Sequence, residues 1–324
     1  IESKPFCFIS VEYLKEKGIP FKNSLYASID DLLSNQEKKD FEKLVGMNHS
    51  LAQTVKQCKA TISYPPNGLP MLLYGPTGTG KSLIAKLTYE WARNQGVISK
   101  NGQFVQVNCS EYANNPELLT ANLFGHVKGA FTGAEKDNEG LIALADNGVL
   151  FLDEVHELKA ECQEKLFLFM DQGIYHRVGD NEKWYKSNVR IVFATTENPD
   201  KVLLKTLMRR IPMTITIPSL EQRGTQERIE LLHNIFSQEE KRLDCQIKIS
   251  SKVYNALLQS KMPGNIGQLK SSVQSCCINS LFDKVNDELV IHLDSLPKDL
   301  LQQVYANQKT VLDDDEYIYV EDLQ

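Results

Sequence analysis

The chain has 324 residues, 42% hydrophobic and 24% charged, with 36 Lys and Arg against 42 Asp and Glu. That composition suits a globular chain long enough for a large domain and a smaller one, and the net charge of -6 excludes a broad basic surface for gripping nucleic acid. Seven scattered cysteines without CxxC spacing and six histidines without ligand spacing predict reduced thiols, a cytosolic home and no metal cage, and no apolar run reaches the roughly 18 residues of a membrane span.

The chain begins at Ile1, which points to a piece of a longer polypeptide. Residues 1–40 read as a leader or linker, with a helix from Ser28 that Ser28 and Asp31 cap. From Phe41 to Arg223 apolar runs alternate with amphipathic helices. "LPMLLYG", "QFVQVNC", "GVLFLDE", "VRIVFATT" and "MTITIP" are the predicted strands of an α/β domain, a mainly parallel sheet sandwiched by helices. Residues 224–285 carry apolar positions at helical spacing, with Pro263 and Gly264 punctuating the entry to a last helix, and read as a small helical second domain. Residues 286–324 are acidic and read as a solvated linker.

"GPTGTGKS" contributes Gly75, Pro76, Thr77, Gly78, Thr79, Gly80, Lys81 and Ser82 in a GxxxxGK[ST] spacing, after one predicted strand and before one predicted helix. Glycines let backbone N–H groups converge on phosphate, the helix N-terminus adds positive potential, Lys81 reaches the β- and γ-phosphates and Ser82 ligates Mg²⁺. At the end of "GVLFLDE", Asp153 is placed to complete the Mg²⁺ site and Glu154 to polarise water. ATP and Mg²⁺ are the expected ligands. A plain Gly-rich turn and a solvated acidic turn are the bland alternatives.

Inside "NLFGHVKGAFTGA", the run Gly129, Ala130, Phe131, Thr132, Gly133 and Ala134 places an aromatic between two glycines with no evident core to receive it. With "FVQVNCS", "GLIALADNGVLFLDEV", "VRIVFATT" and "MPGNIGQLK" in order, roughly residues 41–285 resemble the AAA+ ATPase domain of bacterial activators of sigma-54 RNA polymerase. "KLVGMNHSL" and "LMRRIP" further resemble the branch that carries phosphotransferase-system regulation domains. The resemblance implies a P-loop domain with a helical lid, ATP hydrolysis in a homo-oligomeric ring that in this family's pattern is a hexamer, and DNA contact through a domain outside this chain. It also implies that Gly129 to Ala134 touch sigma-54, with Phe131 as the contacting aromatic. A glycine-bounded turn whose Phe packs into the core is the alternative.

Residue by residue, the resemblance gives Val45 and Gly46 to the adenine, Asn108 to restraining Glu154, and Arg177 to a second pore-side loop. A strand-end asparagine satisfying a turn and a solvated charged hairpin compete with the last two. Thr196 stands where the family commonly has asparagine and still offers a hydroxyl. Arg209 is assigned as the finger that reaches a neighbour's γ-phosphate, with Arg210 as substitute or helper. Gly267 occupies the position of the lid's sensor arginine, and Lys270 lies one turn further on. A nucleotide-gated binding module with negligible hydrolysis is the rival function.

Overall fold

The computed structural model describes residues 40–285, 287–307 and 317–323. Most of the helix expected from Ser28 lies outside them. Its final residues, Phe41–Lys43, form one 3₁₀ turn that buries Phe41 against Val55 and Leu87.

The five predicted strands all form, as β1 (Met71–Tyr74), β2 (Phe104–Asn108), β3 (Val149–Asp153), β6 (Arg190–Thr195) and β7 (Met213–Thr216). Between β3 and β6, the short strands β4 (Ile174–Tyr175) and β5 (Tyr185–Lys186) pair as a separate hairpin. The large sheet is parallel throughout, in the order β2-β3-β6-β1-β7.

Its strands are apolar on both faces because helices cover both. Leu72, Leu150, Leu152, Ile191 and Phe193 point to one side, into a core shared with α3 (Pro116–Phe124) and α5 (Ala160–Gln172). The alternate residues Met71, Leu73, Val149, Phe151, Val192 and Ala194 point to the other, against α1 (Ala52–Ile62) and α2 (Lys81–Asn94). The period of two along each strand thus divides a single apolar run between two cores.

Beyond β7 the expected helices appear as α8 (Thr225–Leu243), α9 (Ser251–Gln259) and α10 (Asn265–Asn279). The lid is not purely helical, however. It also holds a three-stranded sheet, β10-β8-β9, built from β8 (Gln246–Ser250), β9 (Glu288–Ile291) and β10 (Tyr317–Tyr319). The expectation of a solvated linker over 286–324 is corrected by the same sheet. Leu289, Ile291, Leu296, Leu300, Val320 and Leu323 join the lid core with Leu232, Phe236, Leu257 and Leu269. Each of these strands is short, with three buried side chains in β8, two in β9 and none in β10, so the acidic residues between them dominate local composition while partners distant in sequence supply the burial.

Among the described residues no helix is long and apolar enough to cross a membrane. The six described cysteines are free, and Cys7 lies outside the described residues. Burial pushes the Cys58, Cys276 and Cys277 thiols to about 12 and Cys162 to about 11, so these side chains act as small apolar core residues.

The placement of β9 in the core predicts that Leu289→Ala lowers stability by about 2–5 kcal/mol, read as a shift in the urea midpoint. Phe282 is 98% exposed on the lid surface, and Phe282→Ala should change stability by no more than about 0.5 kcal/mol.

Candidate functional site

The turn from β1 into α2 opens on the carboxyl edge of the large sheet. Gly80 takes φ +100° as the residue before α2 and Gly78 takes φ +74°, left-handed conformations that favour glycine. Lys81 is buried and its Nζ donates to the carbonyls of Gly75 at 2.8 Å and Pro76 at 3.2 Å. Burial pulls its ammonium below the ordinary lysine range, opposed by the charges of Glu154 and Asp153. Thr79 closes the turn by donating its hydroxyl to the Pro76 carbonyl at 2.9 Å.

Directly across, Ser82 Oγ donates to Asp153 Oδ2 at 2.8 Å. The strand register brings this about, since β1 and β3 flank β6 and both end at its carboxyl edge. A hydroxyl and a carboxylate held together beside a buried lysine form a hard-oxygen donor set that would suit Mg²⁺ carried in with a phosphate chain. Glu154 follows Asp153 in a left-handed conformation, φ +51° and ψ +49°. Its Oε2 accepts the Thr196 hydroxyl at 3.1 Å and faces His156 Nδ1 at 3.4 Å.

These groups line a cleft of about 770 Å³ between the sheet and the lid. Thr77 through Ser82, Asp153 and Glu154 face it, whereas Gly75 and Pro76 stand behind and hold Lys81. Val45 lines the cleft and packs on the lid core. Gly46 does not line it. Its φ of +84° starts a turn fastened to the lid, where Ser50 donates its N–H and hydroxyl to the buried Glu227 carboxylate at 2.8 and 2.6 Å. Gly267 and Lys270 also face the cleft.

Asn108 does not meet Glu154. Its Oδ1 instead accepts the Ser110 N–H at 3.1 Å and the Ser110 hydroxyl at 2.9 Å, so the turn-satisfying alternative describes what its side chain does here. Arg209 and Arg210 are separated in character. Arg210 grips Asp171 with two bonds of 2.9 Å and lies 4.2 Å over the Phe167 ring, and that pairing holds the Asp171 carboxyl below the usual carboxylate range. Arg209 is exposed, its side chain has no partner among the described residues, and it stands away from the cleft of its own chain.

Two residues passed over in the sequence reading, one in the lid and one at its entry, fasten the phosphate loop. Asn265, 3% exposed, donates Nδ2 to the Thr77 carbonyl at 2.8 Å and accepts the Leu220 N–H at 2.8 Å. Arg223 donates to the Thr79 carbonyl at 3.0 Å. Only the left-handed Asn265 left a sequence signal, its place in "PGNIG", and Arg223 left none.

The Gly129–Ala134 segment lies apart from this cleft. Gly129 and Gly133 take φ of +82° and +95°, with open space where a Cβ would stand, so backbone conformation alone asks for glycine there. The turn closes through Gly129 N–H to Ala134 O at 2.8 Å and Ala134 N–H to Phe131 O at 3.0 Å. Phe131 is 37% exposed, with its ring set edgewise to His126 at 4.9 Å, and Thr132 beside it is exposed. The β4–β5 hairpin backs this turn. Val127 and Val178 share a main-chain bond of 3.1 Å, and Arg177 lies 4.2 Å over Tyr185.

The sheet, phosphate loop and lid define an AAA+ P-loop nucleotide-binding domain. Residues 44–215 match the Sigma-54 interaction domain, and the chain belongs to that family. It is 45% identical over 272 residues to the transcriptional regulatory protein LevR of Bacillus subtilis (strain 168), covering 83% of this chain and 29% of LevR. To the transcriptional regulatory protein DagR of Salmonella typhimurium it is 41% identical over 256 residues, covering 77% of this chain and 27% of DagR. The chain therefore spans less than a third of either relative. NtrX from Brucella abortus, solved in complex with ATP, shares the fold with a TM-score of 0.67 at 24% identity, over 85% of this chain and 60% of that one.

Asn265→Ala strips partners from a buried N–H and a carbonyl at the junction of lid and loop. It should cost about 1–3 kcal/mol in urea unfolding and weaken binding of a fluorescent ATP analogue severalfold. Unchanged unfolding and binding would mean that the lid is not fastened through this residue.

Proposed function

We propose that this domain hydrolyses ATP as one subunit of a ring, in the bacterial cytoplasm, and uses the cycle to remodel the sigma-54 RNA polymerase holoenzyme for transcription. The observation that carries the reading is the coexistence of a Glu154-containing phosphate cleft with a half-exposed phenylalanine on a glycine-bounded turn remote from it. A chain that merely stores nucleotide has no use for the second.

In this reading Lys81 leaves the carbonyls of Gly75 and Pro76 for the phosphates, a better acceptor for a buried ammonium. Ser82 and Asp153 would hold Mg²⁺, whose charge would offset that of the phosphate chain. Val45 lies against the base. Glu154 polarises the attacking water, and water adds to the γ-phosphorus as the bond to the ADP oxygen breaks. Arg209 acts in a neighbour's site, a role supported by its exposure and its lack of a partner among the described residues, while Arg210 is committed to Asp171. Operator DNA is reached through a part of the protein outside this chain.

Gly267 favours a second reading, a nucleotide-gated docking module that hydrolyses negligibly, because the lid brings no guanidinium from that position. Arg223 and Lys270 on the cleft wall weigh against it by keeping the site cationic.

Two experiments decide. Arg209→Ala should bind ATP nearly as the parent does and lose on the order of a thousandfold in turnover. Mixed with Lys81→Ala, it should regain activity at interfaces that pair a sound finger with a sound phosphate loop, and no recovery at any ratio would refute action in trans. Phe131→Ala should hydrolyse ATP and assemble normally while failing to capture purified sigma-54 in the presence of a transition-state analogue. Capture at the parental level would remove the loop from the contact.

A further inference from the structure

The geometry points to His156 as a positioning residue that fixes the Glu154 carboxylate for catalysis. The inference rests on the reading of Glu154 as the residue that polarises water. Its main chain is already fixed, with the Glu154 N–H on Asp153 Oδ1 at 3.0 Å and the Glu154 carbonyl accepting the Glu157 N–H at 3.1 Å. Only side-chain partners can then choose where the carboxylate points, and a free glutamate side chain samples many rotamers.

The imidazole of His156 is wedged among three groups. Nδ1 lies 3.4 Å from Glu154 Oε2 and 3.2 Å from Thr195 Oγ1, while Nε2 lies 3.6 Å from Glu157 Oε1. Thr195 is fully buried at the end of β6, and its hydroxyl donates to the Glu197 carbonyl at 3.4 Å while accepting the Glu197 N–H at 3.1 Å. With its hydrogen directed at Glu197, that hydroxyl presents a lone pair to His156, which makes Nδ1 the donor across the 3.2 Å contact, while Nε2 faces the Glu157 carboxylate. Nδ1 also stands 3.4 Å from Glu154 Oε2, a charge contact beside its 3.2 Å bond to Thr195, and Oε2 itself accepts the Thr196 hydroxyl at 3.1 Å. One carboxylate oxygen is thus held between the end of β6 and the turn after β3, leaving Oε1 for water. Asn108, occupied by Ser110, takes no part.

Such a residue acts on the rate and not on nucleotide affinity. His156→Ala should lower kcat on the order of fivefold, roughly the worth of one net polar contact against the Glu154 carboxylate, with KM for ATP and thermal midpoint nearly unchanged. Two conservative variants separate orientation from packing. His156→Asn keeps a donor near the Nδ1 position and should retain most of the parental kcat, whereas His156→Gln offers its amide nearer the Nε2 position and should resemble alanine. If alanine proves too unstable to assay, the Asn and Gln pair carries the test. Equal kcat for those two, or an effect confined to KM, overturns the inference. Glu154→Gln is run alongside. Parental turnover in that variant defeats the reading of Glu154 itself, whereas loss of turnover there with parental kcat in His156→Gln defeats only the role of His156.

Discussion

Everything at the nucleotide cleft depends on parallel strands ending together. Asn108 is paired with Asp153, and Tyr74 with Thr195, so the carboxyl ends of β1, β2, β3 and β6 deliver their last residues to one edge. Slipping β3 by one residue would turn Asp153 and the alternating apolar set of that strand to opposite faces. The two cores packed against Leu150 and Leu152 on one side and Val149 and Phe151 on the other forbid that slip. A carboxylate beside Ser82 is therefore a consequence of hydrophobic packing on both faces of the sheet.

The lid is joined to the phosphate loop by polar bonds. Asn265 and Arg223 reach the carbonyls of Thr77 and Thr79, and Gly267 donates its N–H to the Gly78 carbonyl at 3.2 Å. These bonds end on the residues that line the cleft. Glu227 adds a second fastening, to Ser50 on the other wall. Each such bond is individually weak on exchange with water, so the junction is suited to rearrangement when the occupant of the cleft changes.

The projecting turn reaches the sheet through different elements. It leans on the β4–β5 hairpin, where a side chain at Gly179 would collide with Ala130, and that hairpin packs through Tyr175 against Phe124 and Phe169 in the core beneath. A cleft of about 600 Å³ opens beside Phe131 and is lined by Leu118 and Lys165, so the ring has room to move without disturbing a packed interior. Partial exposure of Phe131 follows from this arrangement, since its edge contact with His126 covers only part of the ring.

The sequence alone determined the phosphate loop, the five strands and the pairing of Asp153 with a following glutamate, because each is local: glycine spacing, period-two apolar runs, and acids at a strand end. It also marked the glycine-bounded aromatic turn. Tertiary structure decided the partners. Asn108 turned to Ser110 because its neighbour in the turn offered two donors, a choice invisible in the residue type. Arg209 and Arg210 are chemically alike in sequence, and only the placement of Asp171 and Phe167 across α5 commits one and leaves the other exposed. The lid sheet escaped notice for a related reason. β8, β9 and β10 are short, and β10 pairs with a strand some seventy residues earlier in the chain, so no local window contains both halves of the interaction that stabilises them.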